Sequence, residues 1–256
     1  MRTVLLPLLL ACACTGATER TYEASIYGEK FIEEGIPAAI FADNWAVSFD
    51  KFLISVGGIE VDGQALGEDG EPYRIFDLAQ ASDGDGFPIS AGPIAAENPL
   101  ATYVVGPSSD AVAGNATDED VALMKDGGHS IYVQGTATRG GEALTFIWGF
   151  STRTIYSDCE LAGDTDVQLT IHADHLFYDD LFSENPKVTF DLIAASDDGD
   201  GELTADDLRA VDITTQERYQ VGDLTNITDL WSFVEQLTTT LGHINGEGHC
   251  TAVRTD

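Results

Sequence analysis

Four of the five histidines fall in two short segments, and imidazole is the side chain with the widest chemical repertoire near neutral pH. One segment runs Thr170-Ile171-His172-Ala173-Asp174-His175. The other runs Gly242-His243-Ile244-Asn245-Gly246-Glu247-Gly248-His249-Cys250. Neutral imidazole is a common ligand of transition metals, and His172, His175, His243 and His249 could share one ion. His172 and His175 lie where a strand gives way to a helix, so both can turn toward one point. The Gly-rich second segment leaves room for His243 and His249 to converge on it. The spacing matches no established metalloenzyme fingerprint and is not the H-E-x-x-H of metalloproteases. The competing reading is four unrelated polar or core histidines. Met124 is the one internal methionine, so a thioether site for Cu(I) is not indicated. Zn2+ or Cu2+ suits the donors better. His129, in Gly127-Gly128-His129-Ser130, reads as a turn residue.

The four cysteines are Cys12, Cys14, Cys159 and Cys250. In an oxidising compartment Cys159 and Cys250 form the natural pair, and their bridge would bring the second His segment toward the first. The alternative is a metal thiolate, which the absence of a neighbouring Cys disfavours.

Ser196-Asp197-Asp198-Gly199-Asp200-Gly201-Glu202-Leu203-Thr204-Ala205-Asp206-Asp207 resembles the EF-hand calcium loop. Gly201 falls at position six, where the chain turns sharply. The resemblance implies Ca2+ ligands from Ser196, Asp198, Asp200, the Glu202 carbonyl, Thr204 (through water) and Asp207. Two departures weaken the ion: Ser196 replaces a carboxylate, and Asp207 reaches less far than Glu. A Kd of ~10⁻⁴–10⁻³ M is expected, as in extracellular modules. The alternative is an acidic turn in which Thr204 caps a helix. Ser82-Asp83-Gly84-Asp85-Gly86 is similar, but it has Pro88 and Gly92 at positions eight and twelve and is read as a loop.

The chain opens Met1-Arg2-Thr3, then an apolar run from Val4 to Ala11, then Cys12. This is a secretory signal, too short to span a bilayer as a helix. Leu9-Leu10-Ala11-Cys12 resembles the bacterial lipobox, in which the Cys becomes the lipidated first residue of the mature chain. Cys14 offers a second frame, with a poorer match before it. The resemblance implies a lipoprotein of the bacterial cell envelope, partnered with the lipid bilayer through an acyl anchor. Ala13, in place of an inner-membrane Asp, points to the outer membrane.

These segments need elements to position them. Residues 1–11 read as signal peptide and 12–20 as a lipidated tether. Thr21 to Tyr27, Trp45 to Phe49, Phe52 to Val56, Tyr73 to Leu78, Thr102 to Val105 and Val167 to Ile171 alternate as strands do. The apolar parity flips between Phe49 and Phe52, which predicts a bulge near Asp50-Lys51. Ser130 to Thr138 and Ala143 to Ser151 flank Gly140-Gly141 and predict a hairpin. Residues 80 to 120 read as long loops with a helix from Asp118 to Lys125 capped by Thr117. Helical candidates then run from His175 to Phe182, Lys187 to Ala195, Ala205 to Val211 and Asp229 to Leu241. Thr204 and Thr228 are the candidate caps of the last two. The expected fold is mainly β, an antiparallel sandwich-like body over 21–172. A helical region over 173–256 docks on it as one unit, giving α+β overall.

Twelve basic residues stand against 44 acidic ones among 256, a net charge of −32, so a nucleic-acid partner is not expected. The 43 % hydrophobic content argues against disorder. Nucleophile-elbow, phosphate-loop and dinucleotide fingerprints are absent. The whole chain resembles bacterial lipoproteins with a β-rich body. In its strand order from Trp45 to Leu78 and in the hairpin it is similar to periplasmic copper-binding lipoproteins of the MbnP-like kind. Their motifs do not map residue by residue, so no site is carried over. The expected function is a non-enzymatic envelope lipoprotein binding metal ions. The alternatives are a metal-dependent hydrolase, with His172, His175 and His249 activating water beside Asp174 or Glu247, and a surface protein stiffened by calcium.

Overall fold

The computed structural model describes residues 18–97, 99–161 and 163–255. The lipobox, Cys12 and Cys14 lie outside the described residues. The strands are β1 (Glu19–Tyr27), β2 (Ala46–Val61), β3 (Gln64–Ala65), β4 (Arg74–Asp77), β5 (Phe87–Ala95), β6 (Leu100–Val105) and β7 (Val112–Ala113). They continue with β8 (Ile131–Arg139), β9 (Glu142–Phe150), β10 (Thr154–Glu160), β11 (Asp166–Ile171), β12 (Glu202–Leu203), β13 (Gly242–Ile244) and β14 (Thr251–Arg254). The α-helices are short: α1 (Glu29–Glu33), α2 (Asp118–Gly127), α3 (Asp191–Ala194), α4 (Ala205–Arg209) and α5 (Leu230–Leu237). The fold is mainly β, with two sheets and helical segments concentrated toward the C-terminus.

The larger sheet has ten strands, with the spine β12-β9-β8-β2-β6-β10-β14. Its centre is β2, whose first half pairs with β8 and whose second half pairs with β6. The register slips between Phe49 and Lys51, leaving Asp50 as the extra residue. Val47 and Phe52 can then face the core together although their sequence parity differs. The β8–β9 hairpin turns at Gly140-Gly141, where φ is +57° and +95°, a conformation suited to Gly. The smaller sheet has the order β13-β11-β1-β5. Its β1 and β11 run parallel, Tyr27 opposite Thr170.

One core, rich in aromatic rings, unites both parts of the chain. Trp45, Phe146, Trp148, Phe150, Phe177, Phe190 and Phe233 are all buried. Trp231 stacks on Phe150 at 4.8 Å, and the Trp148 indole N–H donates to the Leu203 carbonyl at 2.9 Å. The C-terminal part therefore docks through packed rings and also through hydrogen-bonded strands. β13 joins β11, and β14 joins β10.

Several expected boundaries shift. Residues 87–95 form edge strand β5 where loops were expected. Its Pro88 and Pro93 are compatible with that position, because among the described residues β5 pairs only with β1. The helix expected over His175 to Phe182 is a 3₁₀ turn, Ala173–Phe177, and that over Lys187 to Ala195 shrinks to α3. In both places Tyr178 and Val188 leave helical geometry to form a bridge with each other. Asp229, not Thr228, caps α5, and its carboxylate accepts from the Ser232 N–H. The helix expected over Asp118 to Lys125 forms as α2, with a capping box at Thr117.

Candidate metal centre

The register of the smaller sheet assembles the histidines. His243 lies opposite Thr170 in the β11–β13 pair. Side chains two residues apart on a strand share a face, so His172 emerges beside His243. The backbone N–H of His172 still bonds the Leu241 carbonyl, at 3.0 Å, which holds this alignment past the end of β11. The 3₁₀ turn after His172 then swings His175 back to the same place. The ring centroids of His172 and His243 are 4.3 Å apart, and His175 lies 5.3 Å from each. His249 is exposed on the rim, 5.4 Å from His243. The four sequence-selected rings thus pack side by side, but among the described residues only His172 and His175 belong to a set of three or more donors whose ligand atoms lie within 4.8 Å of one another; His243 and His249 do not. His129 is elsewhere, its ring laid against Gly127 and Gly149.

The segment that returns His249 to the cluster is firmly held. Ile244 and Gly248 exchange two backbone hydrogen bonds of 2.9 Å across a tight turn. A Cβ at Gly248 would sit 2.3 Å from the Ile244 carbonyl, so a side chain does not fit there. The Gly246 N–H donates to the Thr170 hydroxyl at 2.9 Å, and the Asn245 side chain clasps the Gln168 N–H and the Asp166 carbonyl. One residue beyond His249, the Cys159–Cys250 disulfide fixes the chain to β10.

Hydrogen bonds set which ring nitrogens are available. His175 Nδ1 lies 2.7 Å from the Thr240 carbonyl oxygen. A carbonyl only accepts, so Nδ1 carries the hydrogen and Nε2 the lone pair, the usual arrangement behind a metal-bound imidazole. His243 is 8 % exposed, and its Nδ1 is buried without a hydrogen-bond partner. Burial, reinforced by the charges of His172, His175 and His249, pushes the His243 pKa down to about 3. Burial also lowers that of His175. Both rings are therefore neutral at pH 7, the form that binds metal.

Carboxylates complete the setting. Asp174 offers an oxygen within 4.8 Å of ligand atoms on His172 and His175, and Glu29 and Glu247 do the same around His172. Sequence reading missed Glu29. It sits just past the end of β1, and the Tyr27–Thr170 register carries it alongside His172. Only the parallel pairing of distant strands reveals this, and no local sequence pattern encodes it. Burial raises the Glu29 carboxyl above the usual range, opposed by His172 and assisted by the negative Glu247 and Asp174. Burial and the Asp174 charge likewise raise the Tyr178 hydroxyl, whose ring lies 4.5 Å from His175.

The acidic loop forms a second grouping. Ligand oxygens of Asp197, Asp198 and Asp200 lie within 4.8 Å of one another. Asp197, outside the expected ligand set, accepts the Gly201 N–H at 3.0 Å. The Ser196 hydroxyl instead donates to the Ile193 carbonyl. Glu202 begins β12, beside Thr145. Asp207 forms a capping box with Thr204 at the start of α4, accepting its N–H and hydroxyl. Among carboxylates, the expected Asp198 and Asp200 lie together and Asp197 joins them, whereas the expected Asp207 is engaged in the Thr204 cap.

No family model, no curated protein and no solved structure matches this chain. Among the described residues no helix is long and apolar enough to cross a membrane.

Proposed function

We propose that this chain is a non-enzymatic, metal-binding lipoprotein of the bacterial cell envelope. Its imidazole cluster would take Zn2+ or Cu2+, and its acidic loop a structural Ca2+. The observation that carries the reading is the grouping of His172, Asp174 and His175 ligand atoms within 4.8 Å, with the rings of His243 and His249 packed alongside and a His243 Nδ1 that is buried without a hydrogen-bond partner. Leaving such a nitrogen unsatisfied costs about 1–3 kcal/mol, which a bound ion would offset. The donors are imidazole and carboxylate, and the two nearby sulfurs are locked in a disulfide, which favours borderline divalent ions over soft ones. The acyl anchor at Cys12 rests on the lipobox, and Cys12→Ser should move the protein from the membrane pellet to the soluble fraction.

Metal analysis and calorimetry on chelator-stripped protein test the centre. Zn2+ or Cu2+ should bind, His172→Ala and His243→Ala should each weaken binding at least tenfold, and His129→Ala should not. Equal affinity in all three variants would sink the proposal. Asp174 and Glu247 beside the imidazoles favour a second reading, a metal-dependent hydrolase in which one of them serves as base. Turnover of an ester or peptide library by the zinc-loaded protein, lost in Glu247→Gln or Asp174→Asn, would establish it.

A further inference from the structure

A cavity of about 320 Å³ is lined by β2 and β4 of the larger sheet and β5 of the smaller one, and no histidine takes part in it. Its volume falls in the range of small-molecule sites, about 300–1,000 Å³. The segment from Leu66 to Pro72, which leads from β3 to β4, completes the walls. Hydrogen bonds hold the start of that segment in place. The Leu66 N–H donates to the Ile59 carbonyl at 2.9 Å, and the Gln64 side-chain amide donates to the Ala95 carbonyl of β5 at 3.3 Å. Val56, Ile59, Leu66 and Ile89 are buried and make part of the lining aliphatic.

Two polar groups of the lining have no partner. Arg74 lies opposite Val56 in the β2–β4 pair, so its side chain leaves the sheet on the same side as Val56. Its Nε is buried and makes no hydrogen bond. Arg139, Arg209, Arg218 and Arg254 each pair with a carboxylate, whereas Arg74 pairs with none among the described residues. The Ser90 hydroxyl of β5 is likewise buried and unpartnered. A guanidinium only donates, and a hydroxyl bonded to nothing has a hydrogen to give. Donors without acceptors at two points of one cavity call for a ligand that brings acceptors. The terminal nitrogens of Arg74 are not closed off as Nε is, so a carboxylate in the cavity can take the two-pronged grip that a guanidinium favours. A plain anion does not suit the remaining wall. Glu60, Glu68 and Asp69 are exposed along it, with Glu71 partly so, and they repel negative charge and attract positive. A ligand that carries both charges answers the guanidinium and the carboxylates together.

We infer that this cavity is a binding site for a free α-amino acid with an aliphatic side chain. The ligand carboxylate sits on Arg74, its ammonium turns toward the acidic rim, and its side chain packs against Val56, Ile59, Leu66 and Ile89. The site shares no residue with the imidazole cluster and needs no metal.

Calorimetry on the chelator-stripped full chain tests it, with leucine, leucinamide and 4-methylpentanoate as probes. Leucinamide lacks the carboxylate and 4-methylpentanoate the ammonium, while the side chain is kept. Leucine should bind, and each analogue should bind at least tenfold more weakly. Arg74→Met should weaken leucine at least tenfold and leave the melting point nearly unchanged, because Arg74 has no partner to lose. Glu60→Gln/Glu68→Gln/Asp69→Asn removes rim charges at constant side-chain length. It should weaken leucine and strengthen 4-methylpentanoate, a reversal that loss of the cavity cannot produce, so it decides the matter even where Arg74→Met does not fold. No leucine binding, equal affinity for leucine and either analogue, unchanged affinity in folded Arg74→Met, or no reversal in the rim variant would overturn the inference.

Discussion

Removing the Cys159–Cys250 bridge should destabilise the protein without unmaking its sheets. The bridge joins residues separated by 91 positions, with Cα atoms 4.4 Å apart. In the chain-entropy model a loop of that length restricts the unfolded ensemble by about 15.5 cal/mol/K, or about 4.6 kcal/mol at 25 °C. Cys159 is fully buried, so Cys159→Ala/Cys250→Ala is the appropriate variant, because serine would bury a hydroxyl there. For a chain of this size the loss corresponds to a melting point lower by about 10–18 °C. The β10–β14 pairing from Tyr156–Ala252 to Thr154–Arg254 does not require the bridge and should persist. Thermal denaturation of oxidised wild type, reduced wild type and the double variant supplies the test. The variant and the reduced protein should lose similar amounts. A melting point within about 3 °C of the wild type would refute the entropic argument. It would mean that residual structure already holds the two ends together in the unfolded chain.

Two further outcomes follow from the titrating and acidic groups. Metal-free protein should lose stability as pH falls. The folded His243 pKa is pushed down to about 3 while the unfolded value is near 6.5, so the unfolded chain binds the extra proton between those limits. Stability from this group is complete above pH ~6.5 and declines toward pH ~3, by about 1–2 kcal/mol at pH 5; a urea midpoint equal at pH 7.5 and 5 would contradict it. Calcium at ten times its Kd should stabilise the fold by about 1.4 kcal/mol, a melting shift of roughly 3–5 °C. Asp200→Ala should abolish the shift and Ser196→Ala should spare it, because Asp197, Asp198 and Asp200 are the residues that cluster; a melting point indifferent to calcium would mark the loop as an acidic turn.

What could be read from sequence was whatever rests on local periodicity. The parity flip at Asp50, the Gly140-Gly141 turn, the Thr117 capping box and the Cys159–Cys250 pair each leave a mark within a few residues or follow from simple pairing. The four imidazoles could be chosen because they are concentrated in two segments. The elements that escaped depend on distant partners. β13 is three residues long and exists because β11 offers it an edge. The residues from His175 onward carry a helical pattern, but Tyr178 is drawn into a bridge with Val188, and tertiary pairing overrides local preference. Glu29 is invisible for the same reason: its proximity to His172 is a property of parallel register, which sequence does not display. Asp197 escaped because the EF-hand alignment placed the first ligand one residue earlier, whereas its carboxylate bonds Gly201 directly.

The candidate centre draws on three stretches of chain: the end of β1, the end of β11, and the β13 turn, where His172 and Gly246 meet across 74 residues. Short-range metal modules recruit their ion early, because the ligands are near one another even in the unfolded chain, and the ion then drives folding. Here a pair drawn from different stretches is close only once the flank of β11 that joins them has zipped, the full set only once both have, and long closures of that kind are slow. Folding must therefore largely precede loading. An ion arriving too soon finds the isolated His172–Asp174–His175 stretch and little else to hold it. Uptake of metal would then report on completed assembly. A chain halted with its last strands undocked would remain empty whatever the concentration of metal around it.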